Sequence, residues 1–130
     1  MEVARPKLGL ILLLIALGGC GKTSVSDVAP VHGRVTLDGQ PLPNTSVVFQ
    51  AAGRSLSGGF TDEKGDYELI YKRGVKGAVV GSNQVTILED TQKTHAPQRV
   101  PPRYNQNSEL QEEVKPGDNE INFDLTTKSK

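Results

Sequence analysis

Asp62, Lys64 and Asp66 stand at alternate positions in a short polar stretch, the spacing at which a loop can offer oxygen ligands to a calcium ion. The middle residue is a lysine, the distal bidentate glutamate is missing, and Gly65 comes too early for a helix–loop–helix calcium site. The same two carboxylates read equally well as caps of a tight turn. Positive charge gathers in two other places: Lys72, Arg73 and Lys76 among three glycines, and Arg99 and Arg103 in a proline-rich stretch. Either group would suit an acidic ligand, with Lys76, Arg99 and Arg103 as the candidate contacts, although glycine and lysine are also ordinary loop residues. His32 and His95 lack the paired spacing of metal ligands, and for such histidines a solvated ring is the ordinary outcome. Serine–histidine–aspartate catalysis has no G-x-S-x-G elbow to start from. No cofactor is implied, and the expectation is a chain without catalysis.

The single cysteine, Cys20, carries a different chemistry. Leu17-Gly18-Gly19-Cys20 resembles the bacterial lipobox, a leucine and two small residues before an invariant cysteine. Arg5 and Lys7 precede an apolar run from Leu8 to Leu17, the form of an export signal ending at Gly19. As a helix that run covers about 15 Å, half of a ~30 Å hydrocarbon core, too short to span it comfortably. The resemblance implies cleavage between Gly19 and Cys20 and a diacylglycerol on the Cys20 sulfur. Several acyl chains, at about 0.8 kcal/mol per buried methylene, make a membrane the expected partner and the bacterial envelope the expected location. Gly21 stands where an aspartate retains some lipoproteins at the inner membrane, which favours the outer one. Ala16 to Thr23 also fits a loose phosphate-binding loop, but no helical face follows and Pro30 ends the stretch.

These residues need elements to hold them, and the mature chain offers strands. Net charge is zero and Trp is absent, so no basic patch points to a nucleic acid. Fourteen glycines and eight prolines favour many turns. Val31 to Leu37 alternates, with Val31, Val35 and Leu37 on one face, and Asp38-Gly39 ends it as a turn. Thr45 to Ala51, Ser82 to Glu89, Ser108 to Val114 and Glu120 to Leu125 repeat the pattern. Glu112 falls on an inner face, a charge suited to an edge strand. Phe60 and the pair Tyr67 and Leu69 flank Glu63-Lys64-Gly65-Asp66, which predicts a β-hairpin over 59–70. Lys115-Pro116-Gly117-Asp118 predicts a type II turn. Asp90 to Asn107 has no period and reads as a long loop pinned by Tyr104.

The whole predicts an all-β fold, an antiparallel β-sandwich of about seven strands without helix. Its parts are a signal peptide (1–19), a lipidated cysteine and flexible tether (20–30), the sandwich (31–126) and a frayed tail (127–130). Val31-His32-Gly33-Arg34-Val35, Asp38-Gly39-Gln40-Pro41-Leu42, Thr61 to Tyr67, Gly81 to Ile87, Pro101 to Asn105 and Lys115 to Leu125 together resemble the small bacterial lipoproteins with a carboxypeptidase regulatory-like, or transthyretin-like, domain. The resemblance implies a prealbumin-like sandwich, related in plan to immunoglobulin domains, that serves as an accessory or adhesion-type module with a protein or glycan partner in the envelope. Enzymes on related sandwiches leave marks that are missing here. There is no Tyr-Arg-Gly-Ser terminus of the hydroxyisourate hydrolases, and no paired histidines of the intradiol dioxygenases. The alternative expectation is a carrier or enzyme for a small ligand, using the 72–81 and 90–107 loops.

Overall fold

Alternating burial along Val31–Leu37, every second residue inward, makes this strand the hub of one sheet. The structure, a computed structural model, describes residues 27–129. The expected signal peptide, Gly19, Cys20 and the tether as far as residue 26 lie outside the described residues. In chain order the strands are β1 (Val28–Ala29), β2 (Val31–Leu37), β3 (Gln40–Pro41), β4 (Thr45–Gln50), β5 (Ser57–Phe60) and β6 (Asp66–Glu68), followed by β7 (Ala78–Val79), β8 (Gly81–Glu89), β9 (Leu110–Val114), β10 (Asn119–Glu120) and β11 (Phe123–Leu125). One sheet surrounds β2, with β6 and β3 on one side and β10 and β11 on the other. The second runs β5-β4-β8-β9, and β1 pairs with β7 as a small ribbon.

The two larger sheets face each other, and the all-β sandwich expected from the patterning is what forms. Val31 and Val35 of β2, Val47 and Phe49 of β4, and Val85 and Ile87 of β8 are almost wholly buried between them. Three rings join the layers. Phe123 meets Phe49 edge-on at 6.2 Å between centroids and Tyr67 at the same distance, spacings that add to the area each ring buries. β9 is the outer strand of its sheet, with Glu112 half-buried opposite Asn83.

Several expectations need correction. The sandwich is mixed rather than wholly antiparallel, because β10 and β11 run parallel to β2. The expected strand from Glu120 to Leu125 is interrupted at Ile121 and Asn122 while keeping one register. The carbonyl of Ile121 leaves the ladder to accept the Tyr67 hydroxyl at 2.6 Å, and Arg34 N–H donates instead to the Asn122 side chain at 2.8 Å. Gly33 permits this: a Cβ there would lie 1.9 Å from the Ile121 oxygen.

The expected hairpin over 59–70 is a crossing between sheets. Its ends meet as a hairpin would, Gly58 exchanging bonds with Ile70 and Asp62 N–H donating to Asp66. Between them, β5 pairs with β4 and β6 with β2. The buried Thr61 hydroxyl fixes the divergence, donating to the Leu42 carbonyl at 2.6 Å and accepting from Thr45 N–H at 3.0 Å. Smaller differences follow from local caps. Asp90 caps a single helical turn, α1 (Thr91–Thr94), where no helix was expected. The expected tether ends early, since Val28–Ala29 is strand. Thr127 of the expected frayed tail is held by two hydrogen bonds to Asp38, at 2.9 and 2.7 Å.

Gly33→Ala should therefore cost about 1–3 kcal/mol, the usual range for overpacking. Tyr67→Phe, which strands the Ile121 carbonyl, should cost a similar ~1–3 kcal/mol. Urea denaturation measures both, and losses well below additive in the double variant would show that the two act through one contact.

Candidate functional site

The residues singled out for chemistry turn out to hold loops in place. Asp62 accepts from the N–H groups of Lys64 and Asp66 at 2.9 and 3.0 Å, an Asx-type cap of the kind that fixes turns. Asp66 receives the Arg34 guanidinium at 2.7 and 3.3 Å. That hydrogen bond and charge hold the Asp66 carboxyl below its usual range and raise Arg34. Both weak metal candidates are thus bound by protein donors, and among the described residues no three acidic, histidine or cysteine side chains converge on one point.

The two arginines of the 90–107 stretch are engaged by groups of the chain itself. Arg99 Nη2 donates to Oε2 of Glu89, whose side chain is only 4% exposed, at 2.5 Å, and its Nε donates to the same oxygen at 3.1 Å. Glu89 also accepts from Arg99 N–H at 2.8 Å, and the carboxylate raises the Arg99 pKa. Arg103 lies over the Tyr104 ring at 4.8 Å and donates to the carbonyls of Thr126 and Lys128 at 2.5 and 2.7 Å. Tyr104 pins the stretch as expected, accepting from Thr126 N–H at 3.2 Å. Lys76 behaves differently. It is exposed and only loosely paired with Glu68 at 3.8 Å. His32 is outward on β2 with Asp118 at 3.0 Å, and His95 ends α1 in the left-handed region.

Three surfaces remain. A polar groove of about 600 Å³ follows the outer face of β2, lined by His32, Arg34, Thr36, Glu120, Asn122 and Asp124 above Gly33. A hollow of about 580 Å³ lies beside the 90–107 stretch, walled by Leu88, Pro97, Val100, Pro102 and Asn105. Across the outer face of the second sheet, Phe60, Ser46 and Leu88 form one row, and Phe60 and Leu88 are 63% and 42% exposed. Sequence reasoning missed the groove. The signal was available, since His32, Arg34 and Thr36 alternate outward as Glu120, Asn122 and Asp124 do, but their parallel pairing was not.

No family model matches the chain, and no curated protein does. Among solved structures it is similar to a DUF3823 family protein from Parabacteroides merdae ATCC 43184, with a TM-score of 0.46 and 17% identity. The match covers 76% of this chain and 46% of that one, so this chain spans less than half its length.

Removing the arginine from the Glu89 pair should cost more than the ~0–1 kcal/mol of a surface ion pair. With Arg99 itself largely exposed, Arg99→Ala should cost about 2–3 kcal/mol, below the range for a fully buried pair, as read by denaturant midpoint. Two substitutions should show opposite pH dependence. Glu112 is raised by burial, so the native state holds its proton longer and stability falls as pH rises through the unfolded carboxylate value. Glu112→Gln should therefore raise the melting temperature at pH 7 and change little below about pH 4. Asp66 is lowered, so its contribution is present above the unfolded value and lost as pH falls through the folded one. Arg34→Gln should accordingly lower the melting temperature at pH 7, with the difference closing in acid.

Proposed function

We propose that this chain is a lipid-anchored, non-catalytic β-sandwich of the bacterial envelope, an accessory or binding module of the carboxypeptidase regulatory-like, transthyretin-like type. The observation that carries the reading is where the folded body begins. Val28 is already paired with Val79, so the lipobox cysteine stands only a short chain upstream of a complete two-sheet domain. Acyl chains on Cys20 would then supply residence at the membrane, and the sandwich would be the part presented to the envelope. The engagement of Asp62, Asp66, Arg99 and Arg103 within the chain supports a structural or binding role over a reaction centre.

The hollow beside the 90–107 stretch favours one second reading, a carrier for a small ligand. Its walls are mostly apolar and amide, so an uncharged ligand suits it better than the acidic one expected from the sequence.

Mass spectrometry of the N-terminal peptide from membranes should find Cys20 as the first residue, bearing a diacylglycerol. Cys20→Ala should release the protein from the membrane fraction. An unmodified Cys20 or a retained Met1 defeats the anchor. A melting temperature that rises with the concentration of a neutral small molecule would support the carrier reading, and Leu88→Asp should abolish that rise.

A further inference from the structure

The point where the described chain begins is also where unburied positive charge collects. Asp27 accepts from Val80 N–H at 2.8 Å and faces Arg54 at 3.7 Å. The Lys72 ammonium lies over the Tyr71 ring at 5.5 Å, and Arg73, exposed beside it, takes a left-handed φ of 62° in the tight turn Lys72–Gly74. Burial pushes the Tyr71 phenol up, but hydrogen bonding with Arg54 and Ser55 and the nearby Lys72 charge bring it below its usual value, so Arg54 and Lys72 share one neighbourhood. Lys76 joins it through the bridge to Ile70, whose other partner is Gly58. Leu56, two residues along the chain from Arg54, and Ile70, bridged to Lys76, are 54% and 39% exposed.

Four cations thus face two carboxylates, Asp27 and Glu68, in exposed pairs of 3.7 and 3.8 Å. Pairs of that kind contribute little and are readily exchanged. Mixed basic and apolar side chains are what a bilayer interface with anionic headgroups receives, the cations meeting phosphate and the aliphatic groups entering the boundary. The chain outside the described residues adds a second argument. From Cys20 to Asp27, at about 3.5 Å per residue, the reach is at most about 25 Å.

We propose that the end of the sandwich formed by Arg54, Leu56, Ile70, Lys72, Arg73 and Lys76 rests on a membrane surface carrying anionic phospholipid. For its proximity to the bilayer the proposal rests on the lipid anchor at Cys20; the surface chemistry stands apart from it. The net charge of this end is small, so at physiological salt the patch orients a protein that the anchor holds, and only at low ionic strength does it bind an anionic surface by itself. Effective concentration near the membrane makes a weak contact sufficient.

The test separates the two readings by using a chain without acyl groups. The chain from residue 20 carries the whole two-sheet body, and with Cys20→Ser it cannot be lipidated. At low ionic strength it should co-sediment with vesicles in which a third of the phosphatidylcholine is replaced by phosphatidylglycerol, and not with phosphatidylcholine alone. Binding should fall as salt shortens the Debye length. Near such a surface each cation is worth roughly fivefold in binding, so the double variant Lys72→Glu, Arg73→Glu should lose at least tenfold. Leu56→Asp should weaken binding with an unchanged melting temperature. Equal binding to both vesicles, no binding to either, or unchanged binding by the charge-reversed variant overturns the proposal. Self-association of the unlipidated chain, abolished by Leu56→Asp in the absence of vesicles, overturns it in favour of a protein partner. Failure of the anchor shows instead as an unmodified Cys20 and leaves these outcomes readable.

Discussion

A tyrosine hydroxyl reaching across a glycine governs how this sandwich closes. Tyr67 donates to the Ile121 carbonyl, and Gly33 leaves the space through which that oxygen passes. Because Tyr67 belongs to β6 and Ile121 lies between β10 and β11, the bond joins the two flanks of β2 over the central strand. The Tyr67 ring also packs on Phe123, and Phe123 on Phe49 of the facing sheet. Strand pairing and layer packing are therefore coupled at one residue. Burial raises the Tyr67 pKa, which keeps the hydroxyl a donor across any physiological pH.

Much of this was legible because local patterning is decided locally. The alternation in Val31–Leu37 and Gly81–Glu89, and the turns at Asp38-Gly39 and Gly117, follow from side-chain period and positive φ. What was not legible depends on partners far away in sequence. Phe60 was expected in one arm of a hairpin with Tyr67 and Leu69 in the other, yet Thr61 holds the chain so that Phe60 faces solvent on the second sheet. The parallel course of β10 and β11 had no signature, because parallel and antiparallel strands share one side-chain period. Glu89, Asn83 and Asn119 are buried polar groups at positions where alternation predicts only inward or outward. Their partners, such as Asn119 with the carbonyls of Pro30, Lys115 and Gly117, appear only once the loops are placed.

The candidate site was legible in kind and not in role. The sequence picks out the charged side chains but not whether their partners are solvent, ligand or backbone. Arg99 and Arg103 sit in a stretch poor in regular hydrogen bonding, where carbonyls and a buried carboxylate need donors. Guanidinium forks meet that need better than ammonium groups. The lysines, in contrast, stay at the surface, where a compact, strongly hydrated charge is cheapest to leave. Arg54 and Arg73 at the exposed end show that placement decides as well as charge type.

The register of β2 with β11 sets Val35 beside Phe123, the first long strand against the final one. Loop closure over most of the polypeptide precedes any reward from that contact, and topologies dominated by such distant pairings fold slowly. The sheet around β2 thus stays open on that side until β11 has been synthesised. A chain emerging from the ribosome in this way remains threadable for as long as its C-terminal segment is missing. Under the proposed export to the envelope, delayed completion would help the chain pass a translocation channel unfolded, an advantage written into strand order itself.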